Sequence, residues 1–202
     1  MGCGESRTED NKPKVLFVLG GPGSGKGTLC SELKEKNGFL HISTGDLLRN
    51  EVANKGPQAE TIKKIQDEGK LVDSEILVKL IKQEFDKKPN AKYLLDGFPR
   101  SEENDNVWKK IIGDSANVAA LFYIKASNET MKKRIMGRSK TSGRSDDNEE
   151  AIEKRIKVFE SQTLPMVEKY KKADLLISVD GEKTAKEVYD ESIKLLKEKK
   201  VI

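Results

Sequence analysis

A glycine-rich stretch that ends in a lysine and a threonine offers the clearest chemistry in the sequence. Residues 20–28 read Gly-Gly-Pro-Gly-Ser-Gly-Lys-Gly-Thr and join an apolar run to the start of a helical pattern. Glycines let the backbone turn so that successive N–H groups converge on phosphate oxygens, and the start of a helix adds the positive end of its dipole. The stretch predicts a phosphate-binding loop, in which Lys26 supplies a point charge. Its binding residues would be Gly21, Gly23, Ser24, Gly25, Lys26, Gly27 and Thr28.

This loop alone leaves several classes of nucleotide-binding protein open, including a kinase, a nucleotide-gated switch and a motor-type ATPase. One position departs from the usual loop, because Gly27 stands where Ser or Thr would contact a magnesium ion and the hydroxyl follows only at Thr28. A guanine-specific switch needs an Asn-Lys-x-Asp segment, and the nearest candidate, residues 90–93, reads Asn-Ala-Lys-Tyr. That segment argues against a switch of the GTPase kind.

Three further motifs follow the loop in order. They are Ser-Thr-Gly-Asp-Leu-Leu-Arg at 43–49, Asp-Gly-Phe-Pro-Arg at 96–100 and Ser-Gly-Arg-Ser-Asp-Asp-Asn at 142–148. Together with the loop they resemble the nucleoside monophosphate kinases, and most closely the UMP-CMP kinase branch beside the cytosolic adenylate kinases. The resemblance runs from about residue 14 to the C-terminus. It implies a reversible, Mg²⁺-assisted transfer of a phosphoryl group from ATP to a nucleoside monophosphate (NMP).

Such a transfer brings two polyanions together, so the site needs fixed cations more than it needs an acid or a base. Arginine suits this task because its planar fork binds phosphate oxygens bidentately and stays charged. The resemblance implies that Arg134 packs on the donor base, that Lys183 borders the donor adenine, and that Asp96 orients Mg²⁺, directly or through water. It implies catalytic roles for Lys26, Arg100, Arg138, Arg144 and Arg155, with Arg138 also contacting ATP.

Each of these residues has a plainer alternative. Taken alone, any one of the arginines could be a solvated surface cation, because the chain contains 38 Lys plus Arg. Asp96 could instead cap the helix that follows it. His41, the one histidine, lies in a strand-like run and is interpreted as structural.

The acceptor nucleotide would lie between several segments of the chain. Asn104 and its spacing to Trp108 resemble UMP-CMP kinases, since adenylate kinases usually have Gln at the position of Asn104. Thr44 favours the other branch, because UMP-CMP kinases commonly have Ala there. We predict UMP and CMP as acceptors, with dCMP as a further candidate and AMP as the alternative. The implied acceptor contacts are Thr44, Gly45, Arg49, Lys70, Leu71, Val72, Gly97, Phe98, Arg100, Asn104, Arg144 and Arg155.

Short apolar runs and helical patterns must position these residues. The runs 14–19, 39–42, 92–95, 118–124 and 175–179 predict buried strands, and helical spacing recurs at 26–35, 74–85, 127–134, 149–171 and 184–199. Their alternation indicates a parallel sheet covered by helices, with ligands beyond the carboxyl ends of the strands. We predict an α/β, three-layer fold of the P-loop NTPase type with a five-stranded parallel sheet. The resemblance adds a small helical NMP-binding insertion at 44–72 and a short lid loop at 137–148.

Length and charge exclude other kinds of function. A chain of 202 residues is suited to one domain, expected at 14–202. Its net charge of +4 comes from intermixed charges without a basic block, which argues against a nucleic-acid partner. The apolar runs are too short to cross a bilayer. Because Cys3 and Cys30 cannot build a disulfide framework, we expect a cytoplasmic protein, and the family resemblance suggests a monomer.

Residues 1–13 are expected to form a flexible tail outside the domain. Met-Gly-Cys-Gly-Glu-Ser at 1–6 fits the myristoylation pattern at Gly2 and places Cys3 where palmitoylation can follow. Acylation would attach the protein to a membrane surface, and a plain polar tail is the alternative. A non-catalytic scaffold that only binds nucleotide is the remaining alternative for the whole chain. The joint presence of Lys26, Asp96 and the arginines argues against it.

Overall fold

The computed structural model of the chain describes residues 12–68, 70–142 and 148–202, excepting the side chains of 139–142. Within these residues lie the strands β1 (Lys14–Leu19), β2 (Leu40–Ser43), β3 (Lys92–Asp96), β4 (Asn117–Lys125) and β5 (Leu176–Asp180). They form one sheet in the order β2-β3-β1-β4-β5, and every pairing is parallel. The predicted α/β fold with a five-stranded parallel sheet is confirmed. Parallel pairing brings the carboxyl ends of the strands to one edge.

Helices connect the strands and cover the sheet. Their bounds are α1 (Lys26–Asn37), α2 (Thr44–Ala53), α3 (Ala59–Asp67), α4 (Ser74–Lys87), α5 (Glu102–Ile111), α6 (Asn128–Ser142), α7 (Glu149–Val158), α8 (Leu164–Lys172) and α9 (Ala185–Glu198). The short helices α2 and α3 occupy the segment between β2 and α4. Among the described residues, no helix combines the length and the apolar character that crossing a membrane requires.

Three of the helical predictions need correction. The pattern at 149–171 predicts one helix, but a π-helical segment, Phe159–Thr163, separates α7 from α8. Pro165 explains the interruption in part, because proline lacks the N–H that a continuous α-helix requires. The predicted lid loop began at residue 137, whereas α6 continues to Ser142. Helix α5 was not predicted, because its sequence Glu-Glu-Asn-Asp-Asn-Val-Trp-Lys-Lys-Ile has few apolar residues to mark a buried face.

Alternate residues of the central strand supply the cores on its two faces. Phe17 packs with Trp108 at a ring-centroid distance of 5.0 Å, beside helices α4, α5 and α8. Leu16 and Val18 face the opposite side, where α1 and α9 pack. Helices α6 and α7 instead pack on each other through a small apolar core of their own, made of Met131, Ile135, Ile152 and Ile156. The arginines that these two helices carry are therefore held by a unit beside the sheet.

Candidate functional site

A cavity of about 500 Å³ opens at the carboxyl edge of the sheet. Its floor is formed by the segment that follows β1 and by the ends of β2 and β3. One wall comes from α2 and residues 70–72, and the other from α6, α7 and the π-helical segment. The topology explains why segments distant in the sequence lie together here. In a parallel sheet, the residues that follow each strand lie at the same carboxyl edge.

The segment after β1 forms the predicted loop against the start of α1. Gly25 takes φ +101° directly before α1 begins at Lys26. At Gly23, φ is +79°, and an added Cβ would lie 2.7 Å from the carbonyl oxygen of Met131. A side chain there would meet both an unfavourable backbone angle and a backbone atom, so the site requires glycine.

Lys26 holds its amine inside this loop. Its Nζ donates hydrogen bonds to the carbonyl oxygens of Gly20, at 2.8 Å, and Gly21, at 2.9 Å. The pKa of Lys26 is lowered to about 8, chiefly by burial and also by the charges of Arg100 and Arg155, while the attraction of Asp96 opposes the shift. The amine remains mostly protonated at pH 7. It is a cation whose carbonyl partners could be exchanged for an anionic oxygen.

The end of β3 places a carboxylate beside the loop. The side chain of Asp96 is 11% exposed, and its Oδ2 lies 3.3 Å from Nε2 of His41. Asp96 does not cap the following helix, because the N-cap of α5 is Ser101, whose hydroxyl accepts from the backbone N–H of Asn104. This excludes the capping alternative for Asp96. The carboxylate instead borders the cavity.

Thr44, at the start of α2, is tied to the same strand end. Its buried hydroxyl lies 2.9 Å from the carbonyl oxygen of Asp96, to which it donates, and 3.2 Å from that of Gly97. Gly97 has φ +81°, and an added Cβ would lie 2.5 Å from the guanidinium of Arg100. Glycine at this position lets Arg100 and Thr44 approach the backbone closely.

Arg100 is held by three contacts. Its Nε donates to the carbonyl oxygen of Gly97 at 2.7 Å, and its backbone N–H donates to Oδ1 of Asn104 at 3.0 Å. The hydroxyl of Thr163 donates to its carbonyl oxygen at 2.9 Å. Asn104 is buried and also donates from Nδ2 to the hydroxyl of Ser74 at 2.8 Å. These bonds position Arg100 at the cavity wall.

Further cations line the cavity from two sides. Arg49 projects from α2, where its guanidinium bonds to Asp46 one turn earlier. Arg134 and Arg138 lie on successive turns of α6, and Arg155 lies on α7. Nη1 of Arg134 is 3.5 Å from the carbonyl oxygen of Ser24 in the phosphate loop. The cavity is therefore positive on its floor and on both walls, a field that suits polyanionic ligands.

A sequence model of the family described as adenylate kinase matches residues 18–175 of this chain. The chain belongs to the adenylate kinase family. It is also similar to UMP-CMP kinases, with 42% identity to that of Homo sapiens over 190 residues, covering 91% of this chain and 97% of the human protein. Similarity to UMP-CMP kinase 1 of Oryza sativa subsp. japonica is 43% over 180 residues, covering 89% of this chain and 72% of that protein. The UMP-CMP kinase of Sus scrofa is 41% identical over 190 residues, covering 91% of this chain and 97% of the pig protein. The predicted nucleoside monophosphate kinase family is confirmed.

Most of the residues predicted for the site of this adenylate kinase family member do line the cavity. They are Gly23, Gly25, Lys26, Gly27, Thr28, Thr44, Gly45, Arg49, Lys70, Leu71, Val72, Asp96, Gly97, Arg100, Asn104, Arg134, Arg138 and Arg155. Gly21, Ser24 and Phe98 are buried and do not line it. Lys183 is exposed, does not line the cavity, and pairs with Glu191 through its side chain at 2.9 Å, so its predicted main-chain position near the donor adenine stays a prediction. Arg144, Gly2 and Cys3 lie outside the described residues.

Sequence reasoning missed three side chains that support this site in the adenylate kinase family member. Ser74 and Thr163 position Asn104 and Arg100 from helices far away in the chain. No local pattern marks them, because their partners lie 30 and 63 residues away. Asp46, which bonds to Arg49, could have been found, since opposite charges three residues apart in a helix meet on one face.

Proposed function

We propose that this protein catalyses the reversible transfer of the γ-phosphoryl group of ATP to UMP or CMP, giving ADP and the nucleoside diphosphate. The observation that carries the proposal is the meeting of Lys26, Asp96, Arg100 and Arg155 at the mouth of the phosphate loop. Three cations and one carboxylate at one point suit a transfer between two phosphates. The similarity to proteins named UMP-CMP kinase supports the pyrimidine acceptor.

The chemistry needs no covalent intermediate. An oxygen of the acceptor phosphate forms the new bond to the γ-phosphorus of ATP, and the bond from that phosphorus to its bridging oxygen breaks. Lys26 and the loop backbone hold the donor phosphates, while Arg49 and Arg100 hold the acceptor phosphate. Arg138, Arg144 and Arg155 neutralise the charge of the transferring group. No general base is required, because positioning and charge stabilisation supply most of the catalysis.

Mg²⁺ fits this site by the chemistry of its donors. The carboxylate of Asp96 and the hydroxyl of Thr28 both border the cavity, and Mg²⁺ prefers oxygen ligands together with water. Asp96 would hold the ion, directly or through water. When bound, Mg²⁺ neutralises negative charge on the phosphates of ATP.

The acceptor base would lie between α2, residues 70–72 and Asn104. Thr44 stands where the UMP-CMP branch commonly has Ala, yet its hydroxyl is satisfied by backbone oxygens at the end of β3. A satisfied hydroxyl need not bond to a base, so Thr44 carries little weight for AMP. Asn104 has one amide hydrogen beyond the one that it gives to Ser74, and that hydrogen could read a pyrimidine edge.

The two segments that flank the cavity would close on the bound nucleotides. Residues 44–72 would act as the NMP-binding insertion and residues 137–148, which begin within the last turns of α6, as the lid, with the remainder of 14–202 as the single domain. Closure would exclude water that could hydrolyse ATP. We expect a monomer that works in the cytoplasm. Acylation at Gly2 and Cys3, and membrane attachment through it, remain predictions from the N-terminal pattern.

The destination of the γ-phosphoryl group tests the kinase proposal. When the purified protein receives ATP labelled at the γ-phosphorus together with UMP, we expect the label in UDP and equal amounts of ADP. The closed cleft should leave little label as inorganic phosphate. Chromatographic separation of labelled UDP from phosphate makes the measurement. Label that appears mainly as phosphate would indicate an ATPase and contradict the proposal.

A further inference from the structure

A second group of ligating side chains lies behind the phosphate loop. Cys30 of α1, His41 of β2 and Asp96 of β3 each bring one ligand atom to within 4.8 Å of the other two. Nε2 of His41 is 3.3 Å from Oδ2 of Asp96. The three residues belong to a helix and two neighbouring strands, so regular structure fixes their positions. Nothing in the phosphoryl transfer described above uses Cys30 or His41.

The three atoms form a donor set with a clear preference. A thiolate, an imidazole and a carboxylate are the usual ligands of Zn²⁺, whereas Mg²⁺ takes oxygen ligands only. Bonds of about 2.0–2.3 Å separate neighbouring ligands around tetrahedral zinc by about 3.3–3.8 Å. The 3.3 Å between His41 and Asp96 lies in that range, and Cys30 Sγ is within 4.8 Å of both ligand atoms, so side-chain movements of about 1 Å would complete three corners of a tetrahedron.

We propose that Cys30, His41 and Asp96 form an inhibitory Zn²⁺ site at the floor of the cavity. His41 and Asp96 border the cavity, with side chains 17% and 11% exposed, so an ion can reach them from solvent. Cys30 lies fully buried behind them. The fourth position on the ion would face the cavity and hold water.

Binding exchanges a proton for the metal. Burial raises the pKa of the Cys30 thiol well above its usual range, so the sulfur carries its proton in the metal-free protein. As the Zn–Sγ bond forms, the S–H bond breaks and the proton leaves to solvent. Zn²⁺ prefers thiolate and imidazole ligands, whereas Mg²⁺ takes oxygen ligands only. The sulfur and nitrogen donors of the site therefore discriminate against Mg²⁺.

Inhibition follows from the shared carboxylate. An oxygen of Asp96 that is bound to Zn²⁺ behind the loop is lost to the nucleotide-bound Mg²⁺ in the cavity. Cys30 also lies one turn after Lys26 on α1, so its ligation restrains the helix that carries this lysine. The loss of activity rests on the function proposed above. Binding of the metal does not, and it can be measured on the protein without substrates.

Co²⁺, a coloured substitute for Zn²⁺, provides the direct test. In a Cys3→Ser background, which leaves Cys30 as the only thiol, one equivalent of Co²⁺ should produce a thiolate-to-cobalt charge-transfer band that Zn²⁺ abolishes. Cys30→Ala should remove the band. His41→Asn, a change at a partly exposed position, should weaken Zn²⁺ binding by more than about tenfold, since even outer-shell changes cost that much. Thermal melting of each variant verifies that it is folded.

Inhibition supplies the second readout. With free Zn²⁺ set by a chelator, and each rate expressed relative to that variant's zinc-free rate, Cys3→Ser should be inhibited like the unmodified protein. Cys30→Ala should need more than about tenfold more Zn²⁺ for half-inhibition. A missing charge-transfer band in the Cys3→Ser protein overturns the site. If Cys30→Ala and Cys3→Ser needed the same free Zn²⁺ concentration for half-inhibition, the inhibition would arise from zinc-bound ATP. That result would overturn the inhibitory role of the Cys30–His41–Asp96 site.

Discussion

Lys26→Ala should lower kcat by about 10²–10³-fold, because it removes a preorganised cation from the centre of the phosphate loop. The amine of Lys26 is held by the carbonyl oxygens of Gly20 and Gly21 and faces the charges of Asp96, Arg100 and Arg155. Other residues supply neighbouring positive charge, but none replaces a donor inside the loop. Steady-state rates at saturating ATP and UMP measure the effect.

If Lys26 served only to stabilise the fold, Lys26→Ala would lower the melting temperature. The catalytic account expects little change. Since burial lowers its pKa, the folded state disfavours the charged amine at pH 7, and removing it should not lower the melting temperature much. Lys79→Ala is the matched control, because Lys79 is exposed, forms an ion pair with Glu75 and does not line the cavity. That variant should retain the activity of the original protein. Robust activity in Lys26→Ala would contradict the assignment of the loop.

Arg155→Ala should lower kcat by about 10³-fold or more, the scale on which an arginine stabilises a transferring phosphoryl group. Arg155 lies in the cavity wall on α7, and its charge reaches Lys26 strongly enough to lower the pKa of that amine. Arg155→Lys should recover only part of the loss, because an ammonium group cannot bind two phosphate oxygens with a planar fork. The measurement is kcat at saturating substrates, so that weaker binding is not mistaken for slower chemistry.

The residue next to Arg155 provides the control. Lys154 lies on the same helix, is exposed, and pairs with Glu150 one turn earlier at 2.7 Å. Lys154→Ala removes a charge of the same sign without touching the cavity, so its kcat should stay within about threefold of the original value. If both variants lost the same activity, general electrostatics would explain the effect. If Arg155→Ala kept full activity, Arg155 would have no part in the transfer.

Sequence patterns predicted the sheet well for a physical reason. Strands covered on both faces consist of continuous apolar residues, so the runs Val15 to Leu19 and Leu121 to Ile124 are recognisable as strands from the sequence. The phosphate loop was equally visible, because its glycines are required by local backbone angles such as φ +79° at Gly23. In both cases the residues that determine the local structure lie within that structure or a few positions from it.

Other parts of the fold depend on partners far along the chain. Helix α5 buries Asp105, a charged residue, because Lys109, Lys169 and Tyr170 surround it. A pattern that expects apolar residues on the buried face cannot find such a helix. Likewise, nothing near Asn104 reveals that Ser74 takes one of its amide hydrogens. These features arise from tertiary contacts that sequence spacing does not encode.

The site itself was predictable as a set of residues and less so as an arrangement. The motifs named Lys26, Asp96 and Arg100, the family resemblance added Arg155, and all four line one cavity. His41 was interpreted as structural, yet it lies beside Asp96 at the cavity floor. Its strand position explains this placement, because β2 ends at the functional edge and a residue near that end can face the cavity.

The choice of acceptor tests the account most directly. A coupled assay of ADP formation, run with the purified protein and ATP against UMP, CMP, dCMP and AMP, gives kcat/KM for each acceptor. We predict that UMP or CMP exceeds AMP by at least about tenfold, a difference that one satisfied hydrogen bond to the base can supply. Turnover with AMP that exceeds both pyrimidines by the same factor would contradict the proposed pyrimidine specificity and favour an adenylate kinase.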